Sequence, residues 1–190
     1  MTVRTFEYEV LSEFPGVASN IVYIPSYGGG SGHDGVIIKF LPNNGEPWIG
    51  VFAFGDSLRN EVCWVNPGPG PSQLTILARG RAYIASPNNP NSYIDVKSFP
   101  AITAIPVLSR GLMLFHDYTE IVAYDEQGLA WETSRISWDG IEIDEISDNT
   151  VLGRGWDAPS EEWVQFNVDL TTGSHQGGSA PPTYPNPDFS

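Results

Sequence analysis

Fifteen short runs of β-forming residues, each ended by a Gly, Pro, Asn or polar cluster, constrain this chain more than any other feature. In order they are RTFEYEV, NIVYIP, GVIIKFL, WIGVFAF, EVCWV, QLTILARG, RAYIAS, SYIDVKS, ITAIPVL, GLMLFHD, EIVAYD, LAWETS, GIEIDEIS, TVLGRGW and EWVQFNVDL. Breakers such as PNNGEP, NPGPGPSQ and SPNNPNS lie between them. Such residues end a strand because Gly takes positive φ, Pro removes a donor, and Asn bonds its own backbone. No window of a dozen residues free of Gly and Pro keeps apolar residues at i, i+3, i+4 and i+7, so helices are not expected. The pattern predicts an all-β fold of antiparallel, propeller-like sheets, with a β-sandwich as the alternative and little or no helix. Alternation is clean in TFEYEV and EWVQFNV, the mark of strands with one buried and one wet face.

A loose internal repeat runs through the later runs. LARGRAYIASPNNPNSYIDV from Leu77, LSRGLMLFHDYTEIVAYDEQG from Leu108 and DNTVLGRGWDAPSEEWVQFNVDLTTG from Asp148 share a small-residue and Gly opening, a strand, a polar turn and a strand. The best copy carries Val122, Ala123, Tyr124, Asp125, Gly128 and Trp131; the last offers Phe166, Val168, Asp169 and Gly173, with His175 in place of the Trp. This pattern resembles the blade repeat of quinoprotein-like β-propellers, most closely over residues 111–134. The resemblance implies four-stranded blade-like sheets and carries nothing about a bound quinone, so no cofactor is expected. A closed propeller needs at least four blades; 190 residues leave room for four at most at about 40 each, and the N-terminal part matches the repeat poorly. An incomplete propeller is therefore expected. Its open edges would need a cover, such as the N-terminal strands or a homodimer formed edge to edge. In this reading Asp125 and Gly128 shape a turn and Trp131 packs between sheets. SWDG (137–140) and GWDAP (155–159) look like further corners, each with a Trp–Asp pair. Residues 1–178 read as one all-β domain and 179–190 as a flexible Pro/Gly-rich tail.

Charge bounds the partners. The net charge is −14, and it is lopsided. Residues 1–110 hold 8 acidic and 7 basic residues, whereas 111–190 hold 15 acidic and 2 basic. Nucleic acid is not an expected partner, because phosphate contacts need clustered Lys and Arg. A one-signed surface instead suits a docking face for a basic protein. No apolar stretch approaches a membrane span, and MTVRTFEYEVLSEF has no signal-peptide core. Cys63 is the sole cysteine, which excludes an internal disulfide and fits a reducing cytoplasm.

Candidate chemistry is sparse. Gly30-x-Gly32-x-x-Gly35 spells a nucleotide-binding motif, but the strand-like VIIKF follows where a helix should open. A loop presenting Tyr27 and His33 for contact is expected instead. The histidines His33, His116 and His175 have no metal-site spacing, and DGIEIDEISDN lacks the order of a calcium loop, so no metal is expected. Cys63 sits in NEVCWVN and reads as a small buried hydrophobe. No G-x-S-x-G elbow is present, so no catalytic residues are expected. Carboxylates such as Glu132, Asp139 and Asp157 near Trp would suit a sugar. The binding residues expected from these features are Trp131, Trp138, Asp139, Trp156, Asp157, Tyr27 and His33. The function they suggest is non-catalytic docking of a basic protein partner through an acidic face, as bacterial immunity proteins of similar size and charge mask basic toxins. A carbohydrate-binding or carbohydrate-active module is the alternative, and a self-assembling scaffold without a ligand is the third reading.

Overall fold

The computed structural model describes residues 6–16, 20–26, 32–55 and 62–181. Among these residues the all-β expectation holds: there are sixteen strands, one 3-10 turn at Leu108–Arg110, and no α-helix. The first sheet contains β1 (Phe6–Leu11), β2 (Ile21–Ile24), β3 (Gly35–Pro42) and β4 (Trp48–Ala53) in the order β1-β3-β4-β2. The second is a meander of β5 (Cys63–Pro67), β6 (Leu74–Ala78), β7 (Arg81–Ala85) and β8 (Tyr93–Asp95). The third joins β9 (Thr103–Val107), β10 (Leu112–His116), β11 (Ile121–Asp125) and β12 (Gly128–Glu132), and the fourth joins β13 (Ile141–Ile146), β14 (Thr150–Asp157), β15 (Glu162–Asp169) and β16 (His175–Gly177). Among the described residues no sheet closes into a barrel. Fifteen of the strands overlap the fifteen β-forming runs, one to each. One pairing departs from the antiparallel expectation: β2 lies parallel to β4, pairing Ile21 with Ile49 through Ile24 with Phe52. The β3–β4 hairpin separates β2 from β1, so β2, second in the chain, takes the far edge of the sheet.

The chain divides into two compact units. The first spans residues 1–117 and 121–132 and holds the first three sheets; the second spans 118–120 and 133–190 and holds the fourth. In the first unit the second sheet is apolar on both faces. Leu74, Ile76, Ala78, Tyr83 and Ala85 meet Phe6, Ile38, Phe40, Trp48 and Phe52 of the first sheet. Leu77, Ala82 and Ile84 meet Met113, Phe115, Val122 and Tyr124 of the third. The alternation of strand side chains assigns these two sets to opposite faces. Polar tips of buried aromatics cross each boundary. The Tyr83 hydroxyl donates to the Ala53 carbonyl at 2.9 Å, the Trp48 indole to the Pro87 carbonyl at 2.8 Å, and the Tyr124 hydroxyl accepts from the Lys97 amide at 3.0 Å. Each bond pairs a polar atom that would otherwise be stranded in the core.

Two local expectations can be read directly. The Asp125 carboxylate accepts from the amides of Gln127 (2.7 Å) and Gly128 (3.1 Å), and Gly128 sits at φ +137. Asp and Gly therefore build the turn for the reasons their chemistry suggests. Cys63 corrects the reading of it as buried: it is exposed. It opens β5, an edge strand of its sheet, which pairs on one side only, with β6.

The second unit buries one face of its sheet. Val151, Gly153 and Gly155 of β14 alternate inward beside Phe166 and Val168 of β15. Gly153 is required by space, since a Cβ there would lie 2.3 Å from the Glu142 carbonyl oxygen and 2.6 Å from the Phe166 ring. Gly153→Ala is expected to destabilise the protein by about 1–3 kcal/mol, the range for overpacking. The measurement is the urea midpoint at constant m-value, and an unchanged midpoint would show that the ladder yields freely.

Candidate interaction surface

The SWDG and GWD corners are latched together within the second unit. Trp138 donates its amide to the Trp156 carbonyl (2.9 Å), and Trp156 donates to Gly140 (3.0 Å). Ser137 is fully buried; its hydroxyl donates to the Gly140 carbonyl at 2.5 Å and accepts from the Trp156 amide at 3.0 Å. Arg135 holds the same segment by donating to the carbonyls of Ser137 (3.0 Å) and Trp138 (2.8 Å). Trp138, Asp139, Trp156 and Asp157 thus belong to one corner.

The two acids of that corner have different roles. Asp157 accepts from the Ser160 amide (3.1 Å), the Ser160 hydroxyl and the Ser179 hydroxyl. The Ser160 hydroxyl, followed by that of Ser179 and assisted by the Trp138 side chain, holds the Asp157 carboxyl below its ordinary value. Its oxygens are engaged in shaping the loop. Asp139 is exposed.

The outer face of the sheet continues from this corner. Strand register assigns three cross-strand rows to it: Glu142–Arg154–Gln165, Glu145–Leu152–Asn167–Gln176, and Trp156–Trp163. Residues directly opposite in an antiparallel pair share a face. Arg154 donates to the carboxylates of Glu142 (2.6 Å) and Asp144 (3.1 Å), and its guanidinium lies 6.0 Å from the centre of the Trp163 ring. Trp163 meets Trp156 edge to face, with centroids 5.5 Å apart. It remains 39% exposed, and Leu152 38%. From Thr133 to Pro181 nine acidic residues accompany only two basic ones, Arg135 and Arg154. Both arginines are engaged in the bonds above, so the face presents its remaining acids to water.

The other expected site residues belong to the first unit or lie outside the described residues. Trp131 is only 7% exposed, in β12 of the first unit, so it serves the packing and offers no ring for contact. Glu132, also in the first unit, pairs with Lys97. His33 packs edge-on against Tyr23 at 5.2 Å, and Tyr27 lies outside the described residues. His116 is buried in β10, and burial pushes its pKa down, against the opposing bond and charge of Asp117. Among the described residues no three His, Cys, Asp or Glu side chains gather as metal ligands, and no helix is long and apolar enough to cross a membrane.

Sequence reasoning missed Trp163, Arg154 and the Ser137 latch. A signal for Trp163 was available in EWVQFNV: Val164, Phe166 and Val168 take the apolar phase, leaving Trp163 on the wet phase with Gln165 and Asn167. Comparison of the chain with protein-family models, with curated proteins and with solved structures finds no match.

Asp157 has a consequence for pH. A carboxyl whose folded pKa is depressed adds stability above its unfolded pKa, and that stability is lost as pH falls through the folded value. Between about pH 5 and pH 2 the wild type is therefore expected to lose more melting temperature than Asp157→Asn. Parallel melting curves for the two proteins would remove Asp157 from the acid limb.

Proposed function

We propose that this chain is a non-catalytic docking protein that binds a basic protein partner through the outer face of the β13–β16 sheet. The observation that carries the reading is the composition of that face. Exposed acids accompany Leu152, Trp156 and Trp163 on it, and the unit's arginines are engaged internally. Unneutralised charge steers a basic surface into contact, while apolar rings at the centre slow its release. A second copy of the chain is a poor occupant, because two such faces repel. An exposed thiol at Cys63 fits a reducing compartment such as the cytoplasm, which is part of this proposal.

A second reading is carbohydrate binding. Trp163 with the amides of Gln165 and Asn167 on the same face is a combination that stacks on a sugar and bonds its hydroxyls. It differs from docking in lacking dependence on salt. Self-assembly through open strand edges is a third reading, separable by sedimentation.

Asp139 and Glu145 make no side-chain hydrogen bond or ion pair among the described residues, so reversing them tests charge without dismantling the fold. Binding of basic, neutral and acidic test proteins to the immobilised chain should select the basic ones. Asp139→Lys/Glu145→Lys should weaken that binding by about tenfold or more at low salt, as should about 0.5 M salt. Binding indifferent to both would overturn the docking reading, and hits on a glycan array would favour the second.

A further inference from the structure

We infer that the exposed ring of Trp163 seats an arginine side chain of the partner, an inference that rests on the docking function proposed above. Trp163 is the large aromatic on the wet phase of β15, flanked along the strand by Gln165 and Asn167. Its position is fixed before any partner arrives. The ring meets Trp156 in an edge-to-face contact, and Gly140 lies so close that a Cβ there would come within 3.3 Å of the rim of the ring. A preformed ring loses little freedom on binding.

The surroundings favour a cation. The guanidinium of Arg154 already lies over the ring at 6.0 Å, held there by Glu142 and Asp144. Glu142 and Asp144 bring two negative charges against the one positive charge of Arg154, so the cluster beside the ring keeps a net negative charge. Asp139, next to Gly140, and Glu145 add charge that pairs with no basic side chain among the described residues. Arginine fits this seat better than lysine. Its guanidinium is planar, stacks on an indole and is weakly hydrated, whereas an ammonium is compact and keeps its water. A second copy would have no spare arginine in this unit to offer, since Arg135 and Arg154 are both engaged.

The test titrates the whole chain with a synthetic oligoarginine peptide and with an oligolysine peptide of equal length, by calorimetry at low salt. The wild type should bind oligoarginine more tightly by about threefold to tenfold. Trp163→Gln, which matches the polar phase of its strand, should lower oligoarginine binding to the oligolysine level while leaving the salt dependence unchanged. Trp163→Phe, which keeps a smaller ring, should restore part of the preference. Circular dichroism confirms that each variant folds. Equal wild-type affinity for the two peptides, or a preference that survives Trp163→Gln, overturns the arginine seat. If in that case Asp139→Lys/Glu145→Lys still weakens both peptides, the acidic docking function stands without it. If neither peptide binds at low salt, both proposals fall.

Discussion

The sheet of β5 to β8 is apolar on both faces, and the first unit is organised by that fact. Ile76 and Tyr83 point one way, Leu77 and Ile84 the other, and all are buried. At about 25 cal/mol for each Å² of apolar surface removed from water, neither face can be left wet. A layer is therefore needed on each side, and the first and third sheets supply them. The polar tips of Tyr83, Trp48 and Tyr124 follow from the same constraint. Each bonds a backbone group beyond its own sheet, so these large rings are buried without a stranded donor or acceptor.

The second unit solves a different problem. Its sheet buries one face, and β14 does so with Val151, Gly153 and Gly155, which let the Phe166 ring and the Glu142 carbonyl approach closely. The other face stays in water, where charge costs little. The Arg154 pairs on that face are exposed, and such pairs contribute about 0–1 kcal/mol each. Their effect is positional: they hold a guanidinium over Trp163 and leave the face negative. A surface of this kind stabilises its own fold only weakly.

The strands were legible because their signals are local. Period-2 alternation and Gly, Pro and Asn breakers each act within a few residues, and fifteen runs became fifteen strands. The turn at Asp125–Gly128 was equally legible, since its bonds span three residues. β16 was not, because His175–Gly177 carries neither β-branched residues nor alternation; its pairing with Phe166, Asn167 and Val168 makes it a strand. The parallel placement of β2 was hidden for the same reason, since nothing in IVYI records which strand will lie beside it.

The tryptophans and Cys63 show where local reading stops. Trp131 and Trp163 are the same residue in similar strand contexts, yet one is buried and the other is exposed. Cys63 lies in an apolar run and is exposed because its strand ends a sheet. By itself the sequence determined an all-β chain, its turns, and a strongly acidic second half, because torsional preference, side-chain period and charge are properties of the residues. Tertiary structure alone decided which strands share a sheet, which edges stay open, and which rings meet water. Those outcomes depend on register and on neighbours distant in the chain, and no single segment encodes either.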